Sequence, residues 1–317
     1  MTRYLAGRVF ALAVTFVLAA LAVFAVLDLL PGDPARVMLG IGATDDALAA
    51  LRHDLGLDRP AHVRLLGWLG DLARGDLGVS HTYGMPVGSL VLDRLAVTAP
   101  LALLALALTV ALGVPAGVAA AARRGRAADL AILAVSQIGL AVPGFWLGIL
   151  LILAFGVGLG WLPAGGFPGW REDPAGALAA LVLPAFALAL AQGAVLARIT
   201  RAAMLETLNE DYTRMALAKG MGRARLLWRH ALPNALVPVL ALIGLQVTFL
   251  IAGAIVLETV FTLPGLGRLV LQAVTQRDLV VVRGVIMVLV VGAVLIAFTV
   301  DALHALLDPR LRAEGRP

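Results

Sequence analysis

The stretch LAILAVSQIGLAVPGFWLGILLILAFGVGLGWLPAGGFPGW occupies residues 130–170 and contains no charged side chain. The hydrocarbon core of a bilayer is about 30 Å thick, and a helix crosses it in about 20 apolar residues. This stretch is too long for one helix, and its final part, WLPAGGFPGW, is rich in glycine and proline, which is typical of a loop. We therefore predict a membrane span over Leu130–Gly156, followed by a loop at the membrane surface.

The same test, applied outward in both directions, finds five more uncharged apolar runs. The six predicted spans are Val9–Leu27, Ala96–Ala122, Leu130–Gly156, Pro174–Ala197, Leu236–Leu257 and Gly284–Val300. The composition agrees, because 61% of the 317 residues are hydrophobic and only 14% are charged, against about 25% charged in a soluble domain. We predict an all-α integral membrane protein with six transmembrane helices and exclude disordered and nucleic-acid-binding classes.

The first apolar run has an alternative interpretation as a cleaved signal peptide, because Arg3 and Arg8 precede it. Signal peptides usually have an apolar region of about 7–15 residues, followed by a small-residue cleavage site. The run Val9–Leu27 is longer and lacks a convincing site of that kind. We therefore expect a membrane helix that is retained.

The distribution of basic residues predicts the orientation of the chain. If the N-terminus lies inside, 15 of the 25 basic residues lie on the inner side, including the RRGR turn at 123–126. Most of the others belong to the long segment 28–95, and long loops contribute little to the positive-inside rule. We expect both termini in the cytoplasm.

The segment 28–95 is too long for a simple connector and should contain structure of its own. Asp45–Leu55 has apolar residues at helical spacing, an acidic start and Gly56 at its end, which predicts a short helix. The whole segment is either a periplasmic cap over the helix ends or a docking surface for a soluble partner.

The other sizeable polar segment, 198–232, lies on the predicted cytoplasmic side. Asp211 is a good N-cap for a short helix over Tyr212–Lys219, and Gly220 can end that helix with a positive φ. A second short helix is expected over about Ala224–Leu232, ending at Pro233. Small residues before a glycine corner favour close approach of another surface, although a merely solvated basic loop is the alternative.

This segment resembles the EAA loop of binding-protein-dependent ABC transporter permeases. DYTRMALAKG at 211–220, followed by HALPNALVP at 230–238, is similar to the dipeptide/oligopeptide/nickel permease family. The resemblance extends over nearly the whole chain through LLPGDPAR, LGLDRP, GDLGVS, ETVFTLPGLGRL and LLDPRLR, in that order. The long first outer loop resembles the B-type subunit of that family.

The resemblance implies an ABC type I importer permease fold and a transport subunit rather than an enzyme. Its implied partners are a C-type second permease, two ATPase subunits that bind ATP and magnesium, and a periplasmic or lipid-anchored binding protein. This chain itself is expected to hold no cofactor or metal. The residues implied to contact the ATPases are Asp211, Tyr212, Arg214, Ala216, Ala218, Lys219 and Gly220, buttressed by His230, Leu232, Pro233 and Asn234.

The implied cargo is a small peptide or a related compound such as glutathione or a nickel chelate, moved across a bacterial inner membrane. The implied organisation is an N-terminal helix and periplasmic loop region, 1–95, and a five-helix permease core, 96–317, with a coupling loop at 198–234. An ATP motor needs a G-x-x-x-x-G-K-[ST] loop to hold the nucleotide phosphates, and no such loop surrounds Lys219, the only lysine.

Three neutral amides, Gln137, Gln192 and Gln246, lie in the third, fourth and fifth spans. They offer donors and acceptors for a peptide-like cargo, or they make ordinary hydrogen bonds between helices. Prolines within spans, such as Pro143, either form hinges or shape the bundle.

A gradient-driven transporter or channel is the alternative function. Asp301 and His304 share a helix face in the sixth span and could relay protons, but their position near the membrane interface favours an anchoring pair. Glu258 is expected at the outer rim. A membrane-embedded enzyme is disfavoured, because Ser136 is the only serine within a span.

Overall fold

The computed structural model describes residues 2–29, 34–40, 42–54 and 56–307. Five helices of this part are long and apolar enough to cross a membrane, and one bent pair of helices supplies a sixth candidate. The five long helices are α1 (Thr2–Leu29), α5 (Val87–Ala122), α8 (Pro174–Leu208), α11 (Leu232–Val260) and α13 (Leu279–Leu307). The predicted all-α membrane fold is confirmed.

The bent pair corrects the prediction of one continuous helix over Leu130–Gly156. α6 (Ala127–Ala141) ends before Val142 and Pro143, and α7 (Gly144–Leu151) continues into a π-helical turn over Ile152–Gly158. The chain bends by 100° between these two helices. Proline disfavours helical backbone at the residue before it, and Val142 accordingly has an extended ψ of 123°. Pro143 therefore interrupts the helix within this span, and of the two alternatives given above the structure shows a break rather than a change in bundle shape alone.

The predicted segment 28–95 contains three helices, α2 (Pro34–Leu39), α3 (Asp45–Asp54) and α4 (Ala61–Ala73). The predicted helix over Asp45–Leu55 is thus confirmed as α3, with Leu55 outside the described residues. After α4, Val79 and Pro86 form an isolated antiparallel bridge that turns the chain into α5.

The predicted polar segment 198–232 is more helical than expected. α8 continues past Ala197 to Leu208, then α9 (Asp211–Ala218) follows. The prediction of a second helix ending at Pro233 is wrong, because α10 (Arg223–Arg225) runs through a π-helical turn, Leu226–Ala231, into α11 without a break. Pro233 follows directly after this π-helical turn, and local π-helical adjustments are one way in which membrane helices accommodate a proline.

The described residues form two compact units. The first contains the described residues up to Ala96 together with Gly265–Leu295, including α12 (Leu266–Thr275), and the second contains Val97–Pro264 and the described residues from Ile296 onward. Val87, Leu269 and Val285 are among the core residues of the first unit. The second unit has one apolar cluster around Leu101, Leu181 and Leu250 and another around Leu196, Met204 and Val239.

Two glycines four residues apart allow α5 and α8 to approach closely. A Cβ atom at Gly113 would lie 2.9 Å from the carbonyl oxygen of Gly193, and one at Gly117 would lie 2.6 Å from that of Ala197. Small residues at this spacing are common where membrane helices cross, since packing rather than the hydrophobic effect holds them together. The crossing of α5 and α8 has no room for larger side chains.

Candidate functional site

The short helix α9 is anchored by a buried threonine. Thr213 has no exposed surface, and its Oγ1 donates to the carbonyl oxygens of Leu208 at 3.0 Å and of Glu210 at 2.6 Å. Glu210 rather than Asp211 is the N-cap residue, so the predicted helix is confirmed but its predicted cap is wrong. Asp211 instead occupies the first helical turn, where its negative charge interacts favourably with the positive end of the helix dipole.

The C-terminal end of α9 is closed by the predicted glycine corner. Gly220 has a φ of +83°, and its N–H donates to the carbonyl oxygen of Leu217 at 2.9 Å. The N–H of Met221 reaches back to the carbonyl oxygen of Ala216 at 3.1 Å. A side chain at Gly220 would strain the backbone, although the space around its Cα is open.

An open cleft of about 590 Å³ lies along α9 and the corner. Its lining residues are Asp211, Tyr212, Met215, Ala216, Lys219, Gly220, Met221 and Arg225. Met215 is 58% exposed and Leu217 is 49% exposed. Large apolar side chains exposed near Lys219 and Arg225 favour contact with a partner protein, because exposed apolar patches with polar residues around them mark interaction sites.

The two halves of the predicted coupling loop meet in the structure. The amide of Asn234 donates to the hydroxyl oxygen of Tyr212 at 3.0 Å and to the carbonyl oxygen of His230 at 2.9 Å. Leu232 is buried, whereas Pro233 and Asn234 are exposed. α9 and the start of α11 are therefore joined by a hydrogen bond as well as by the chain.

A buried ion pair, missed by sequence reasoning, joins α6 to the end of α8. Nε and Nη2 of Arg201 donate to the two oxygens of Asp129 at 2.6 and 2.7 Å. The Asp129 side chain is 1% exposed, and the N–H of Gly125 also donates to it at 2.9 Å. Such two-point contacts fix both position and orientation. An aspartate three residues after the RRGR turn was the available signal in the sequence.

Arg223 makes a second connection to the same turn. Its Nη2 donates to the carbonyl oxygen of Ala122, the last residue of α5, at 2.8 Å. The segment after α9 is thus hydrogen-bonded to the end of α5, and the ion pair holds the start of α6 against α8. Together these contacts connect the segment around α9 to the ends of α5, α6 and α8.

The structure places the three predicted pathway amides differently. Nε2 of Gln246 donates to the backbone carbonyl oxygen of Gln192 at 3.0 Å, whereas Gln137 is exposed on α6. Gln246 is 4% exposed, and its Oε1 has no hydrogen-bond partner. The bond between α11 and α8 matches the interpretation as a helix-to-helix contact, and a role in a substrate route stays a prediction.

Glu258 differs from the expectation of a rim residue. It is fully buried, and its Oε1 accepts a hydrogen bond of 2.5 Å from the hydroxyl of Thr98. α13 continues through Asp301 and His304, but the side chains of both lie outside the described part of the structure. Within the described ranges, no group of three or more His, Asp or Glu side chains is arranged to hold a metal ion.

In the first unit, Asp278 organises the turn after GDLGVS. It accepts hydrogen bonds from the hydroxyl of Ser80 at 2.6 Å and from the N–H groups of Thr82 at 3.0 Å and Val281 at 3.2 Å. Burial acts to raise the pKa of Asp278, but these hydrogen bonds outweigh it and hold the pKa below its usual value. Asp278 therefore ties the end of the 28–95 segment to the start of α13.

The described residues combine membrane-length helices with a short helix that ends at a glycine corner. Residues 113–313 match the family described as binding-protein-dependent transport system inner membrane component, and residues 1–102 match its N-terminal companion. The chain belongs to the binding-protein-dependent transport system inner membrane component family.

Its relatives include named peptide permeases. The chain is 42% identical to a candidate peptide transport system permease of Brucella abortus over 98% of this chain and 99% of the relative. It is 40% identical to the di/tripeptide permease DppB of Pseudomonas aeruginosa and 36% identical to the glutathione permease GsiC of Salmonella choleraesuis. Each of these matches covers 98% of this chain and 99% of the relative. The likeness to these relatives therefore extends over almost the full length of both chains.

A solved structure of the MetNI methionine ABC transporter, in an inward-facing conformation, shares the fold. The TM-score is 0.58 at 21% identity, covering 69% of this chain and 96% of that chain. The predicted ABC importer permease fold is confirmed.

Proposed function

We propose that this chain is the B-type half of the pore of an ATP-driven importer of small peptides. It would span a bacterial inner membrane several times with both termini in the cytoplasm. A C-type permease would complete the pore, two ATPase subunits would bind ATP and magnesium, and a periplasmic or lipid-anchored binding protein would deliver the cargo. The exposed apolar and basic surface of α9 is the observation that carries this proposal.

The coupling step follows from how α9 is built. Thr213 ties α9 to the end of α8 through the carbonyl oxygen of Leu208, and the bond between Tyr212 and Asn234 ties α9 to the start of α11. Closure of the ATPases against Met215 and Leu217 would push α9, and α11 would transmit the displacement into the membrane. Packed helices respond to such a push by rigid-body rearrangement between discrete states.

The proposed cargo class rests on the relatives named for di/tripeptide and glutathione transport. A peptide carries amide donors and acceptors, which the neutral Gln137, Gln192 and Gln246 could match without a buried charge. The organisation into a 1–95 region and a 96–317 core remains part of the same proposal.

The glycine corner provides the test of ATPase docking. Gly220→Arg adds both backbone strain and bulk, whereas the control Gly220→Ala adds the strain alone. We expect the Arg variant to lose ATP-dependent uptake by tenfold or more, about 1.4 kcal/mol per tenfold, and to retain less ATPase on purification. The Ala variant should keep most of its uptake.

Unchanged assembly and uptake in Gly220→Arg would exclude steric docking at this corner. Equal losses in both variants would assign the effect to backbone strain alone. The matched pair thus separates docking from local folding.

A further inference from the structure

A small cavity in the first unit lies where two membrane helices end. Its volume is about 70 Å³, and its apolar wall includes Phe24 and Leu27 of α1 and Val280 of α13. The charged and polar residues that line it are Asp28, Arg64, His81, Arg277 and Arg283. It is large enough for a compact anion but not for an acyl chain.

The cavity carries an excess of positive charge. Three guanidinium groups line it against one carboxylate, that of Asp28. Arg64 reaches Asp28 through Nη2, but the Nε–H of Arg64 is buried without a hydrogen-bond partner. A buried donor without an acceptor is costly, by about 1–3 kcal/mol, so an incoming acceptor would be favoured at this point.

A second carboxylate, that of Asp278, acts favourably on Arg283 through its charge. The oxygens of Asp278 are occupied by Ser80, Thr82 and Val281. Arg283 also experiences the unfavourable charge of Arg64 and the favourable charge of Asp28. An anion between the two guanidinium groups would add a counter-charge to this cluster.

The level of the cavity indicates which anion. The apolar window of α1 ends at Asp28, and that of α13 begins at Leu279, so the cavity lies where hydrocarbon gives way to headgroups. Trp68 stacks on Phe24 at 6.2 Å between ring centroids, and Arg283 lies 5.5 Å from the Trp68 ring. Aromatic side chains such as tryptophan are enriched at this level of a membrane protein.

We propose that this cavity binds the phosphate of an anionic phospholipid headgroup. Arg64 and Arg283 would donate to the phosphate oxygens, since guanidinium groups match phosphate with paired hydrogen bonds. The acyl chains would lie against the exposed apolar surface of α1, which is 60% exposed at Leu18 and 62% at Val26. The lipid would hold the end of α1 to the start of α13.

The test uses the full-length chain purified with its co-purifying subunits. Arg64→Gln and Arg283→Gln remove a guanidinium group from the cavity, Arg283→Lys keeps the charge, and Arg74→Gln is the control because that side chain is 78% exposed. Bound phosphatidylglycerol is counted by native mass spectrometry. The unfolding temperature is measured with added phosphatidylglycerol, phosphatidylcholine or inorganic phosphate.

We expect phosphatidylglycerol to stabilise the wild-type protein and Arg74→Gln more than phosphatidylcholine does. In the two Gln variants the apparent affinity for phosphatidylglycerol should fall about tenfold, with partial recovery in Arg283→Lys. If Arg64→Gln does not assemble, the comparison of Arg283→Gln with Arg283→Lys and Arg74→Gln decides the test.

Equal lipid retention in all variants would overturn the proposal. Stabilisation by inorganic phosphate but not by phosphatidylglycerol would overturn the lipid assignment in favour of a free anion.

Discussion

At the scale of single residues, one carboxylate holds three parts of the second unit together. Asp129 is almost fully buried and receives both hydrogen bonds of Arg201 as well as the N–H of Gly125. Removing it would leave a largely buried guanidinium without a counter-charge, and the loss of one partner of a buried pair is far more destabilising than the pair is stabilising.

We predict that Asp129→Ala lowers the free energy of unfolding by about 3 kcal/mol, the lower end of the range for buried pairs, because the Arg201 side chain is 22% exposed. Denaturant unfolding in detergent measures this. Asp71→Ala is the matched control, since its ion pair with Arg74 is exposed and such pairs contribute about 0–1 kcal/mol. Similar effects of both substitutions would show that the buried pair contributes little.

Asp278 supplies a prediction for pH. Its hydrogen bonds lower its pKa in the folded protein, so it stabilises the fold above the unfolded-state pKa, and this stability is lost as the pH falls through the folded-state value. The unfolded value for aspartate is about 3.9. We expect the unfolding temperature of the wild type to decrease once the pH is lowered below about 4.

Asp278→Asn should lower the unfolding temperature at neutral pH and flatten its dependence on acid. The comparison is made in detergent between neutral pH and the onset of acid unfolding. If the variant kept the full wild-type acid dependence, other carboxylates would be responsible for it.

At the scale of elements, the close crossing of α5 and α8 depends on glycine. Gly117 is the tighter of the two positions, because an added Cβ would also lie 2.6 Å from the Cβ of Thr200 and 3.0 Å from the backbone N of Arg201. These neighbours are backbone or short side-chain atoms that cannot rotate away. The helices themselves would have to separate.

We predict that Gly117→Ala destabilises the protein by about 1–3 kcal/mol, as is usual for overpacking. Gly88→Ala in the same helix is the control, because an added Cβ there meets nothing within 4 Å and alanine is the better helix former. Unfolding temperatures of the two variants give the comparison. A Gly117→Ala protein as stable as Gly88→Ala would contradict the close crossing.

At the scale of the whole molecule, the source of energy distinguishes the proposed importer from a gradient-driven carrier. The chain has no ATP-binding loop of the G-x-x-x-x-G-K-[ST] type around Lys219, and the proposal accordingly assigns ATP hydrolysis to partner subunits that would act through α9. A carrier would instead need titratable groups, of which Asp301 and His304 are the sequence candidates.

We predict that uptake by the reconstituted transporter requires ATP and persists when a protonophore collapses the proton gradient. Asp301→Asn and His304→Gln should keep at least half of the wild-type uptake, since neither would carry the transported proton. Peptide uptake into proteoliposomes, with and without internal ATP, measures both effects. Protonophore-sensitive uptake without ATP would favour the carrier.

The sequence by itself determined the membrane fold, because hydrocarbon thickness forces apolar runs of a set length whatever their neighbours are. It also located α9 and its glycine corner, since caps and positive-φ glycines act within a few residues along the chain. The ordered motifs of the resemblance identified the family.

Tertiary structure decided what depends on residues far apart in the chain. The sequence left a hinge at Pro143 as one of two alternatives, and the structure selects it with a bend of 100°. The passage of the helix through Pro233, the pair Asp129–Arg201 and the burial of Glu258 against Thr98 were not predicted. Partners such as Asp129 and Arg201 are 72 positions apart, and no local pattern encodes which charge meets which. A proline likewise bends or continues a helix according to the packing that surrounds it, which only the assembled bundle supplies.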